Sequence, residues 1–188
     1  MNIAVCLKQT FDTEAKISLN SSGKIDDANV TRCINPYDEY AVEAGLKLKE
    51  KFGGEVTIVS VGGEKTPESM RTALAMGADK GILIKDPVLE QADEWVVAEV
   101  LAKAISQIPY DIILSGRIAV DDQSAQVAIR VAEALGLPSV STVLALEVEE
   151  NKAVATREID GGTEVIEVPL PAVFTAQKGL NEPRYPNM

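Results

Sequence analysis

Apolar positions along the chain follow two alternating periods. Ile3-Ala4-Val5-Cys6-Leu7 is a short continuous apolar run, as expected of a strand buried on both faces. Val56-Thr57-Ile58-Val59-Ser60-Val61, Gly81-Ile82-Leu83-Ile84 and Asp111-Ile112-Ile113-Leu114-Ser115 repeat that signal. Helical spacing fills the intervals. Asn35 suits a helix N-cap, Pro36 the first helical position, and Asp38 and Glu39 the positive end of the dipole. Ala41, Gly45, Leu48 and Phe52 then recur on one face before Gly53-Gly54 stops the helix. Thr66-Pro67-Glu68 opens a second helix, with Met70, Ala73 and Leu74 on one face and Gly77 at its end. Asp93-Glu94 caps a third, in which Trp95, Val96, Val97, Val100, Leu101, Ala104 and Ile105 form a core stripe. A fourth is expected from about Ser124 to Leu135. Lys16-Ile17-Ser18-Leu19 and Lys24-Ile25 around Asn20-Ser21-Ser22-Gly23 read as a small excursion hairpin. Strands alternating with helices of this length imply βαβ units and a parallel sheet.

After Pro138 the period changes. Leu144–Val148 and Ala153–Arg157 flank a Glu149-Glu150-Asn151-Lys152 turn, and Gly161-Gly162 leads into Thr163–Val168, which alternates with period two. Ala172–Ala176 is one more apolar strand. The whole reads as an antiparallel β meander extending the sheet. The expected organisation is therefore an α/β domain with its meander over residues 1–178, then an extended arm over 179–188 containing Pro183 and Pro186.

Composition narrows the chemistry. The chain has 188 residues, 46% apolar and 25% charged, with a formal net charge of -11. That balance disfavours both a disordered chain and a nucleic-acid binder, which must neutralise phosphates. No apolar run approaches the roughly 20 residues of a membrane span. The N-terminus lacks the pattern of a targeting segment, so a cytoplasmic location is expected. Histidine is absent, which removes Ser-His-Asp and Cys-His catalysis. Cys6 and Cys33 form no C-x-x-C and support neither a disulfide framework nor a thioredoxin-type centre. No metal site is indicated. Binding is favoured over catalysis.

In an open parallel sheet, ligands bind beyond the carboxyl ends of the strands at the topological switch point. The segment after the Ile112 strand runs Gly116-Arg117-Ile118-Ala119-Val120-Asp121-Asp122-Gln123-Ser124-Ala125-Gln126-Val127. Gly116 permits close backbone approach, and Ser124–Val127 is expected to be the first helical turn, whose free N–H groups suit a phosphate. Simple helix capping by Asp121, Asp122 and Ser124 fits the same residues. Tyr37 is an aromatic able to stack on a flat ligand. Cys6, ending the first strand, reads as a small buried residue.

The same segments carry a family resemblance. Asn35-Pro36-Tyr37-Asp38-Glu39 resembles an N-P-F-D-E segment. Arg71–Asp79, Arg157–Gly162 and Leu180–Tyr185 are near-verbatim family strings. Together they resemble the beta (small) subunit of electron transfer flavoprotein, in order and over essentially the whole chain. The resemblance implies a three-layer, Rossmann-like or universal-stress-like adenine-nucleotide-binding fold, without catalytic residues of its own. It implies a heterodimer with a larger alpha subunit that holds one FAD, part of which this chain covers. Electrons would pass from flavin dehydrogenases, acyl-CoA dehydrogenases of fatty acid oxidation among them, to a quinone oxidoreductase. The implied second ligand is AMP, replaced by a second FAD in electron-bifurcating relatives.

Residue by residue, the AMP contacts carry over to Cys6, Asn35, Pro36, Tyr37, Asp38, Val61 and the run from Gly116 to Val127. The flavin-facing positions carry over to Tyr37, where Phe is usual, and Thr13, where some members have Tyr. Bifurcating members read D-G-D-T-A-Q-V-G-P where this chain has Asp121–Ile129, so AMP is favoured. Family members run further, through a recognition loop and a Lys-rich segment, and Met188 aligns with the apolar anchor that docks into the dehydrogenase. A truncated chain is one expectation and a naturally short one the other. A stand-alone universal-stress-type nucleotide sensor shares the architecture but would lack the Arg157–Gly162 and Asn181–Tyr185 strings. An adenylate-transferring ligase would need glycines after the first strand, where Gln9-Thr10-Phe11-Asp12 stands.

Overall fold

A computed structural model describes residues 1–26 and 30–186. The strands are β1 (Asn2–Cys6), β2 (Gln9–Phe11), β3 (Arg32–Ile34), β4 (Glu55–Val61), β5 (Lys80–Ile84), β6 (Ile112–Gly116), β7 (Ser139–Val148), β8 (Lys152–Ile159), β9 (Gly162–Pro169) and β10 (Ala172–Ala176). The helices are α1 (Pro36–Phe52), α2 (Thr66–Met76), α3 (Glu94–Ile105) and α4 (Val127–Leu135), with a short 3-10 turn at Pro87–Gln91. One eight-stranded sheet runs β5-β4-β1-β6-β10-β7-β8-β9, parallel from β5 to β7 and antiparallel across β7-β8-β9.

The alternation of β1 divides the core into two layers, because successive strand residues point to opposite faces. Ile3 and Val5 pack with Val42, Leu46 and Met70 of α1 and α2, together with Leu114 and Phe174. Ala4 and Cys6 pack with Leu101 and Ile105 of α3 and Val131 of α4, together with Ile113 and Val173. The result is the helix–sheet–helix sandwich read from the sequence. Pro36 and Pro67 occupy first-turn positions, and Asp93 caps α3 by accepting the Val96 N–H at 2.9 Å.

Three features differ from the sequence reading. First, β10 does not extend the meander. It inserts between β6 and β7 and parallel to both, with Phe174 opposite Leu114 and Val140. Local patterning marks a buried strand but carries no information on which neighbours it pairs with. Second, α4 starts at Val127, three residues beyond the expected Ser124. Gln123 and Ala125 have φ of 56° and 55°, so the segment before α4 cannot be helical. Third, Trp95 is 55% exposed. It precedes the first buried residue of α3, Ala98, at the end where Glu94 and Val97 line a cleft. The small excursion around Asn20 is the expected hairpin: Leu19 bridges Ile25 antiparallel, the Asn20 N–H donates to the Lys24 carbonyl and the Asp26 N–H to the Ser18 carbonyl, each at 2.8 Å, and a separate two-stranded ladder joins β2 to β3.

Candidate nucleotide cleft

Strand order places the switch point at β1. The chain leaves it for β4 and β5 on one side and returns to β6 on the other. The carboxyl ends of β1, β4, β5 and β6 surround a cleft of about 510 Å³. Its floor is Cys6, Leu7 and Lys8 after β1. Val61, Gly62, Gly63 and Glu64 line one wall after β4, continued by Lys85, Asp86 and Pro87 after β5. The opposite wall is Ser115–Ala119 with Asp122 and Ser124–Ala128.

Asn35 and Asp38 hold these ends together. Asn35 stands at the N-cap of α1, yet its side chain makes no cap bond. Instead its Nδ2 donates to the Ile118 carbonyl at 2.9 Å, and its Oδ1 accepts the Val120 N–H at 3.1 Å. Asp38 accepts the Lys8 N–H on Oδ2 and the Gly116 N–H on Oδ1, each at 2.8 Å. One carboxylate thus ties the end of β1 to the end of β6. Burial pushes the Asp38 carboxyl up to about 7, against the pull of the two N–H donors. Gly116 is required here by space: a Cβ would lie 2.5 Å from Asp38 Oδ1 and 2.7 Å from Tyr37 Cβ.

Lys8 spans the mouth. Its Nζ is 2.7 Å from Asp121 Oδ1 and 2.7 Å from Asp122 Oδ2. Burial alone would lower its pKa, but the two carboxylates outweigh that and raise it. Asp122 also accepts the Ser124 N–H at 3.0 Å. Burial of the Asp122 carboxyl is likewise outweighed, by Lys8 and by Ser124, and its pKa is lowered. Arg117 lies over the Tyr37 ring at 5.2 Å, and its Nε is buried with no hydrogen-bond partner among the described residues. Burial, reinforced by Asp38, pushes the Cys6 thiol up to about 12, so it is neutral and packs as an apolar group.

Of the residues singled out from sequence, the cleft gathers Cys6, Asn35, Asp38, Val61, Gly116–Ala119, Asp122 and Ser124–Val127. Pro36, Tyr37, Val120, Asp121 and Gln123 border it without lining it. Thr13 sits exposed in the turn after β2 and is not part of the cleft, and Met188 lies outside the described residues. Sequence reading missed Lys8, Gly62-Gly63 and the Lys85–Ala92 rim. Lys8 had a usable signal, its place just past the carboxyl end of the first strand. The rim residues gave none, since they are ordinary loop residues until the sheet order is known.

The cleft has the parts to hold an adenine nucleotide: apolar walls, exposed backbone at Gly62-Gly63, hydroxyl and N–H donors at Ser124, and cations at Lys8 and Arg117. Comparison with known proteins gives the family. The electron transfer flavoprotein domain matches residues 22–188. The chain is 53% identical to an electron transfer flavoprotein subunit beta of Syntrophomonas wolfei, covering 100% of this chain and 74% of that protein. It is 46% identical to the subunit beta of Bacillus subtilis, covering 100% and 73%. It is 40% identical to a caffeyl-CoA reductase–Etf complex subunit of Acetobacterium woodii, covering 98% and 71%. The chain belongs to the electron transfer flavoprotein beta-subunit family.

Proposed function

We propose that this chain is the beta subunit of an FAD-containing electron carrier. It pairs with a larger alpha subunit, covers part of that subunit's flavin, and binds AMP in the cleft at β1, β4 and β6. The carrier takes electrons from flavin dehydrogenases such as acyl-CoA dehydrogenases and delivers them to a quinone oxidoreductase. The observation that best supports the AMP assignment is the convergence of Lys8, Arg117 and the Ser124 N–H on one cleft at the switch point.

FAD supplies the redox chemistry when bound to the complex. The residues of this chain bind, orient and exclude water. Asp38 and Asn35 fix the backbone of the cleft wall, and Lys8, Arg117 and Ser124 offer donors to a phosphate. Gly63, where an added Cβ would meet nothing within 4 Å, leaves room for a flat base beside the apolar wall. Tyr37, half-buried beside Arg117 and with its ring 6.5 Å from that of Tyr40, is the aromatic assigned here to the neighbouring flavin.

The experiment is a count. Denaturing the purified complex and quantifying released ligands should give one FAD and one AMP per heterodimer. The second reading, FAD in place of AMP, draws on the likeness to the caffeyl-CoA reductase–Etf complex subunit. It predicts two flavins and no AMP. A chain that never captures a flavin-bearing larger subunit overturns both.

A further inference from the structure

We propose that Asp122 is an internal anion occupying the phosphate donors of the cleft, and that a nucleotide phosphate binds by displacing it. The inference rests on the nucleotide reading above and adds what sets phosphate affinity there.

Both oxygens of the Asp122 carboxylate are engaged, and each engages a group that a phosphate would use. Oδ2 is 2.7 Å from Lys8 Nζ, and Oδ1 accepts the Ser124 N–H at 3.0 Å. An ammonium and a backbone N–H flanking one anion are the donor set of a phosphate site. The carboxylate lines the cleft itself, on the wall shared with Arg117, whose Nε is buried and unpartnered among the described residues. The ammonium and N–H donors at that end of the cleft are therefore already taken by one of the chain's own carboxylates.

Asp121 makes the exchange feasible. It holds Lys8 independently at 2.7 Å and accepts the Asp122 N–H at 2.9 Å on the same oxygen. Lys8 and the Asp122 backbone therefore stay anchored when the Asp122 side chain leaves. That side chain is 37% exposed, so water can take it up at small cost. A phosphate arriving without this movement would meet a carboxylate at contact distance, and like charges there disfavour binding. Elsewhere on the rim Lys85 pairs with Glu64, and Asp86, Glu90 and Glu94 add negative charge that favours a ligand presenting hydroxyls and base there, away from Lys8.

The test compares AMP with adenosine on the full chain, freed of bound nucleotide, in the wild type and in Asp122→Asn. Displacement predicts that the variant binds AMP about fivefold more tightly, the size a partly exposed ion pair supports, with adenosine affinity unchanged. Asp122→Ser, which keeps a short acceptor for the Ser124 N–H without the charge, should behave alike and guards against a folding defect in either variant. AMP affinity that is equal or weaker in both variants overturns the displacement. Equal tightening of AMP and adenosine also overturns it, since a merely loosened cleft would favour both. Failure of the wild type to bind either ligand removes the nucleotide reading itself and the displacement with it.

Discussion

Asp38 shows how much one side chain holds in place. Its folded carboxyl keeps a proton up to about pH 7, whereas the ordinary value is 3.8. The folded chain therefore binds more protons than the unfolded one between those limits. The stability Asp38 contributes is full below the lower value and is lost as pH rises through the upper one. Asp79 and Asp122 act in the opposite sense and at lower pH. Both are partly buried, but Lys49 and Lys8 outweigh burial and hold them below their usual value, so their contribution is lost as pH falls. Urea unfolding between about pH 5 and pH 8 thus reads Asp38 together with Glu39, whose carboxyl burial also raises, and the Asp38 variant separates the two. The wild type should lose stability across that range, and Asp38→Asn, though less stable overall, should lose less. An equal pH slope in both proteins would assign the effect elsewhere. The neighbouring Gly116 gives a second test. Gly116→Ala drives a methyl against Asp38 and Tyr37 and should cost about 1–3 kcal/mol, as overpacking does. Gly162→Ala, where an added Cβ meets nothing within 4 Å, should stay within about 0.5 kcal/mol.

At the scale of elements, α1 links the cleft to the end of the described chain. Its first turn carries Asp38, and one turn further Glu43 accepts three hydrogen bonds from Arg184: from its N–H at 3.1 Å, from Nε at 2.8 Å and from Nη2 at 3.0 Å. Glu50 takes the remaining Nη1 at 2.6 Å, and Asn181 donates to the Tyr40 carbonyl. The segment after β10 is thereby strapped along the helix. Glu43 is 3% exposed and Arg184 34%. Arg184→Ala would strand a buried carboxylate at a cost of about 1–3 kcal/mol, less than for a fully buried pair because Arg184 is itself wetted. Proteolysis after Gln177 should accelerate in that variant, and unchanged protection would show that packing of Leu180 alone holds the strap. Such links across 141 residues were illegible in the sequence, where Glu43 reads as one more surface charge of an amphipathic helix. What was legible was local. Pro36, Pro67 and Asp93 announced helix starts, and the apolar runs announced strands. The left-handed residues Gln123 and Ala125 are neither glycine nor asparagine, so nothing flagged the delayed start of α4. The cleft was half legible for the same reason: segments ending on one strand were found, and the Lys85–Ala92 rim, joined to them only through sheet order, was not.

At the scale of the molecule, both regions tied by α1 bear on one function. The helix positions Asp38 in the cleft, Tyr37 beneath the Arg117 guanidinium and next to Tyr40, and the strap that leads to the 91%-exposed Tyr185. Among the described residues no helix is long and apolar enough to cross a membrane, and no cluster of acidic residues or cysteines has metal-site geometry. Under the proposed function, the chain's influence on a partner's flavin passes through side chains at the shared surface, and Tyr37 is the one the family resemblance selects. Replacing it removes an aromatic face and frees the Arg117 guanidinium to approach, which changes the local field that sets a flavin's potential. In the assembled complex, Tyr37→Ala should therefore shift the flavin midpoint potential by about 30 mV, the equivalent of about 1.4 kcal/mol for a two-electron couple. Spectroelectrochemistry of the complex reads that shift directly, and urea unfolding of the same sample reads stability. A changed potential with a near-native unfolding midpoint places Tyr37 against the flavin. An unchanged potential with lost stability makes it only a prop for Arg117.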